Sequence, residues 1–112
     1  MIIAVDFDGT ITKKNAYPAV GEVNEPVVDA LKWLQSEGHQ LILWTCRTNS
    51  DLDVAIHVCK ERGLEFQAIN TNVPEIEERG WGSGRKIYAD VYFDDKGVNG
   101  ITEVIRQIVR SE

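Results

Sequence analysis

The chain has 112 residues, 43% of them hydrophobic and 27% charged, with a formal net charge of −6 and a pI near 4.9. That length suits a single domain over residues 1–112, able to bury a core without disulfides or a structural metal. The acidic balance argues against general binding to a nucleic-acid backbone, which calls for a basic surface. A bound cation could still bring a phosphorylated ligand to an acidic site.

The chain opens on "IIAV", residues 2–5, a continuous β-branched run that predicts a strand covered on both faces. The run stops at Asp6, too short for a secretory core or a membrane span, so a cytoplasmic protein with no membrane partner is expected. Residues 12–23 have no periodicity. Asn24, Glu25 and Pro26 then mark a helix start, Val27, Val28, Leu31 and Leu34 recur at helical spacing, and Gly38 is a stop. "QLILWT", residues 40–45, predicts a second buried strand. Ser50 with Asp53 resembles a capping box opening a helix that buries Leu52, Ile56 and Cys59 and ends at Gly63. A third strand is expected at 66–69 and a fourth at "IYADVYF", residues 87–93. Between them, 71–85 is aperiodic. Ile101, Val104, Ile105, Ile108 and Val109 form the stripe of a tail helix. Both cysteines, Cys46 and Cys59, read as small buried hydrophobes kept reduced.

Strands alternating with helices imply an α/β, Rossmann-like three-layer sandwich: a parallel sheet of about four strands with helices on both faces. Neither aperiodic stretch is long enough to form a second domain. Ligands in such folds bind beyond the carboxyl ends of the strands. Asp6 and Asp8 stand at the first of those ends, Thr45 and Arg47 at the second, and Asp94 and Asp95 at the fourth, with Lys86 just before that strand.

Two unit charges about 4 Å apart repel by roughly 4 kcal/mol at an effective dielectric near 20. Clustered carboxylates therefore need protons or a cation, and oxygen ligands without histidine or cysteine point to Mg²⁺. Such a site suits phosphoryl transfer. Lys86 supplies charge, Thr45 a hydroxyl, and the "DFDGT" turn backbone amides, with Gly9 permitting the unusual backbone conformation. Arg47 is a further phosphate contact or the partner of a carboxylate. Asp6 is the better placed nucleophile, and Asp8 the residue that protonates the leaving oxygen and then deprotonates water. That role requires an environment that favours its protonated form.

"DFDGT", "LILWT", a downstream lysine and "VYFDD" together resemble, in motif order and across essentially the whole chain, the haloacid dehalogenase-like phosphatases. The resemblance implies a small capless member with Asp6 as nucleophile, Asp8 as acid/base, Thr45 in the second motif and Lys86 in the third, where Arg85 stands beside it as the alternative. It implies Mg²⁺ held by Asp6, by the backbone carbonyl of Asp8 and by Asp94, with Asp95 a further ligand or the orienter of metal-bound water. Capless relatives act on large phosphorylated partners or oligomerise to form a lid. The substrate expected is thus a phosphorylated small molecule or macromolecule, and a homo-oligomer is possible. Lys13, Lys14 and Tyr17 are candidate rim contacts.

"GWGSGRK", residues 80–86, is not a phosphate-binding P-loop: no serine or threonine follows Lys86 and no strand precedes it. Trp81 is expected to pack as a loop residue. His39 and His57 are expected on the surface, and Asp90 as a cap or ion-pair member. A phospho-accepting or phosphate-sensing regulatory module is the main alternative function. In a receiver domain, however, the acceptor aspartate ends a middle strand, where this chain has Thr45, and a stable phosphoacceptor has no use for Asp8. A dehalogenase on the same scaffold would need neither Asp8 nor Asp94.

Overall fold

The computed structural model describes residues 1–71, 73 and 89–93. Four parallel strands, β1 (Ile2–Val5), β2 (Gln40–Leu43), β3 (Ala68–Ile69) and β4 (Val91–Phe93), form one sheet in the order β3-β2-β1-β4. Helix α1 (Glu25–Ser36) links β1 to β2, and α2 (Asn49–Glu61) links β2 to β3. The fold is the α/β, Rossmann-like class expected.

β1 is central, and all four of its residues are buried. Ile3 and Val5 face a core made with Leu41, Leu43, Val27, Val28, Leu31, Leu34, Ala55 and Cys59, so both helices pack on that side. Ile2, Ala4 and Ile42 point the other way and are buried with Val73. Both faces of the sheet are therefore covered, which is why the first strand is apolar without alternation.

Several boundaries differ from the sequence reading. β2 ends at Leu43, so Trp44 and Thr45 belong to the loop beyond it. β3 keeps only the last two of its four expected residues. The expected capping box is absent. Thr48 is the N-cap of α2 and makes no side-chain cap bond. The first turn is closed instead by the Leu52 N–H on the Thr48 carbonyl (3.2 Å), and the Arg47 guanidinium donates to the Asp51 carbonyl (3.4 Å). α2 buries Ala55 and Cys59, while Leu52 and Ile56 are half-buried against the core. Asp90 precedes β4 and binds its neighbour β1: its carboxylate accepts the Ile2 N–H at 2.7 Å.

His39, expected on the surface, is buried beside the N-terminal amine, with Nδ1 2.9 Å away. It stands where β2 enters the sheet next to Met1, whose carbonyl accepts the Gln40 N–H. His57 is exposed, with Nε2 2.9 Å from Glu61 one turn on.

Cys59 is buried as expected, but Cys46 is exposed, because the chain has already left β2 when it reaches that position. Burial pushes the Cys59 thiol up to about 12. It therefore keeps its proton where an unfolded thiol would ionise, and native stability should fall as pH rises from about 9 toward 12. At pH 8 an alkylating reagent should modify one thiol quickly, Cys46, and the second only when the chain unfolds. Two equally fast thiols by mass spectrometry would contradict this burial.

Candidate active site

Sheet topology selects the site. β2 and β3 lie to one side of β1 and β4 to the other, so the connection reverses at β1, and a crevice opens beyond its carboxyl end. Asp6 is the first residue there. Its N–H continues the ladder to the Phe93 carbonyl (3.0 Å), and its Oδ1 accepts the Phe7 N–H (2.8 Å).

The chain then makes one wide turn, Phe7–Ile11, closed by the Thr12 N–H on the Phe7 carbonyl at 3.1 Å. Gly9 sits inside it at φ 83°, a left-handed value that a side chain would strain. The Gly9 amide, expected to help cradle phosphate, donates to Thr12 Oγ1 at 3.0 Å. Gly9 thus shapes the turn rather than offering a donor to a ligand. Thr10 Oγ1 is buried with no hydrogen-bond partner.

Asp8 is buried and faces Arg47, which is almost fully enclosed. Their side chains form a two-pronged ion pair, Nε to Oδ2 and Nη2 to Oδ1, both 2.8 Å. Asp8 in turn holds the guanidinium pKa above its ordinary value. The remaining donors of Arg47 reach the Ala19 carbonyl (2.8 Å), the Pro18 carbonyl (3.2 Å) and the Asp51 carbonyl (3.4 Å). A guanidinium has five N–H groups, and all five are engaged. Of the two readings of Arg47, phosphate contact or partner of a carboxylate, the structure shows the second: it is a buried partner of Asp8, with no donor left for a phosphate. Its Cζ also lies 5.1 Å from the ring centres of both Phe7 and Tyr17.

Thr45 is half-buried. Its N–H donates to Asn70 Oδ1 at 2.7 Å, and its Oγ1 accepts the Arg47 N–H at 3.2 Å. The hydroxyl proton is not used by either bond. Asn70 adopts φ 55°, a left-handed value that asparagine tolerates better than most residues. Nothing in the sequence pattern singled it out.

The loop over residues 12–23 returns on itself as a small hairpin. Thr12 bridges Val23, the Lys13 N–H donates to the Glu22 carbonyl (2.8 Å), and Thr12 Oγ1 donates to the Lys14 carbonyl (3.0 Å). Gly21 is required by close approach, since a Cβ there would lie 2.6 Å from the Lys14 carbonyl oxygen. Lys13 pairs with Glu22 on the surface at 3.2 Å. The tip carries Asn15 and Tyr17 to the site. The Tyr17 hydroxyl donates to Asp51 Oδ2 (3.0 Å), a bond that, with the Asp51 charge, raises its pKa.

Asp6, Asp8, Asn15, Tyr17, Thr45, Cys46 and Arg47 line an open cleft of about 380 Å³. The structure therefore brings four of the expected site residues (Asp6, Asp8, Thr45, Arg47) around one cleft and adds Asn15 and Cys46, which the sequence reading missed. Of the rim candidates, Tyr17 lines it. Lys86, Arg85, Asp94, Asp95, Trp81 and the tail helix lie outside the described residues.

A solved structure of a conserved protein from Bacteroides thetaiotaomicron is 43% identical to this chain, covering 100% of it and 92% of the Bacteroides chain, with a TM-score of 0.84. This chain belongs to the same family as that protein. No family model and no curated protein matches the chain. The likeness extends over the whole chain and over its fold. Among the described residues no helix is long and apolar enough to cross a membrane.

Proposed function

We propose that the chain is a Mg²⁺-dependent phosphomonoester hydrolase of the haloacid dehalogenase-like type, with Asp6 as the nucleophile. The observation that carries this reading is the position of Asp6: it ends the central strand at the point where strand order reverses, at the mouth of a cleft it shares with Asp8 and Thr45.

An Asp6 oxygen attacks phosphorus as the ester P–O bond breaks, and the departing oxygen takes a proton from Asp8. Water then attacks the aspartyl-phosphate, loses its proton to Asp8, and regenerates the Asp6 carboxylate. The Thr45 hydroxyl is placed to donate to a phosphoryl oxygen. Asp8 must leave at least one arm of its pair with Arg47 to carry a proton, since both of its oxygens are engaged there.

Among the described residues no three acidic, histidine or cysteine side chains gather as a metal cluster. The donors present are nevertheless the hard oxygens that Mg²⁺ takes: the Asp6 carboxylate and the Asp8 main-chain carbonyl. Asp94 directly follows Phe93, the strand residue bonded to Asp6, and with Asp95 would complete the set. The ion would neutralise charge on the phosphoryl oxygens.

The Asp8–Arg47 pair also favours a second reading, a phospho-accepting module whose acyl phosphate is slow to hydrolyse because its acid/base residue is held away. Purified protein assayed on a panel of phosphomonoesters, with Mg²⁺ and with excess chelator, separates the two. Turnover that chelator removes supports the hydrolase. A phosphorylated protein lasting hours with no turnover supports the module, and turnover indifferent to chelator defeats both.

A further inference from the structure

Two sets of contacts hold the 12–23 hairpin. Its base is tied by backbone bonds to itself. Its tip is tied through Arg47, which takes the Pro18 and Ala19 carbonyls, and through Tyr17, which lies against the Arg47 plane and donates to Asp51. The same guanidinium holds both oxygens of Asp8. A guanidinium is rigid and planar, so its prongs cannot move independently. Tilting it far enough to release the loop tip also breaks the paired bonds to Asp8. Conversely, taking charge from Asp8 removes the anchor that sets the plane of the guanidinium.

We infer that Arg47 is a positioning residue that latches the loop tip over the cleft and couples it to Asp8, so that lifting Asn15 and Tyr17 and releasing the Asp8 carboxylate are one event. The latch stands on the geometry alone, whereas its consequence for proton transfer rests on the proposed hydrolase. In a chain whose aperiodic stretches are too short for a cap domain, the latched hairpin forms one side of the cleft through Asn15 and Tyr17. Asn15 and Tyr17 are then the residues that meet the leaving group. The cleft thus favours a substrate with a planar or weakly polar group beyond its phosphate, since a tyrosine ring and an amide line that side.

The chain has three tyrosines, at positions 17, 88 and 92, so fluorine NMR of 3-fluorotyrosine-labelled full-length protein reads the loop directly. Tyr17→Phe assigns the Tyr17 signal. Asp8→Asn keeps the shape of the side chain but turns an amide N–H toward one prong of Arg47. It should shift the Tyr17 signal, whose ring loses the Arg47 guanidinium, while the Tyr92 signal, on β4, stays in place. Arg47→Lys should do the same and lower kcat at least tenfold. Should Arg47→Lys fail to fold, Asp8→Asn decides alone. A Tyr17 signal unmoved by Asp8→Asn overturns the latch. A signal that moves in a protein that hydrolyses no phosphomonoester upholds the latch and removes the hydrolase reading.

Discussion

Replacing Asp6 with asparagine should abolish turnover while leaving the fold intact. The amide oxygen can still accept the Phe7 N–H, and the backbone bond to Phe93 is untouched, so the turn keeps its shape. What disappears is the carboxylate of the proposed nucleophile. Losing a group that forms the covalent intermediate costs on the order of 10⁴-fold or more in kcat, because binding and charge neutralisation alone supply only the residual rate. Steady-state kinetics beside a thermal melt measure both effects. Activity within tenfold of the parent, with an unchanged melt, would end the assignment of Asp6 as nucleophile and with it the proposed mechanism.

The largest effect on stability should come from Arg47→Ala. The surface pair of Lys13 with Glu22 is a fair contrast: both side chains are more than half exposed, at 51% and 76%, and such pairs contribute about 0–1 kcal/mol. The side chain of Arg47 is 1% exposed and that of Asp8 10%. Truncating Arg47 strands a buried carboxylate and empties the space between the rings of Phe7 and Tyr17. Breaking a buried pair by removing one partner costs about 3–5 kcal/mol, a drop in melting temperature of roughly 15 °C or more for a domain of this size. The double replacement of Arg47 by Met and Asp8 by Leu should recover much of that loss, since no charge is then left unpaired. Urea titrations of Arg47→Met, of Asp8→Leu and of the double variant close the cycle. A loss under about 1 kcal/mol in Arg47→Ala would show that the pair acts like a surface pair.

Much of the architecture was legible because burial imposes composition. The unbroken apolar run at residues 2–5 is what a central parallel strand needs when both faces are covered, and it reads directly as β1. Gly38 and Gly63 mark the helix ends, and both adopt left-handed φ values there. Asp6 and Asp8 stood out because charges directly after a buried strand require a reason. The misreadings share one cause. The sequence neighbours of Cys46 and His39 do not set their exposure; where the chain leaves the sheet and what comes to lie beside it do. The Ser50 pattern forms no capping box because α2 begins at Asn49 with Thr48 as its N-cap, which leaves Ser50 inside the helix.

By itself, the order of residues determined the periodicities, and from them the strand–helix alternation, the parallel sheet and the carboxylates at its carboxyl edge. Those are local properties, written within a few turns or strand repeats. Only the folded chain decided what Arg47 does. Its five acceptor atoms belong to four residues lying up to 39 positions from it along the chain, and a side chain that long can serve a ligand or its own protein equally well until the loop carrying Pro18 and Ala19 is folded over it. Which carbonyls and carboxylates reach a rigid, five-pronged cation is a matter of tertiary distance, and no spacing along the chain encodes it.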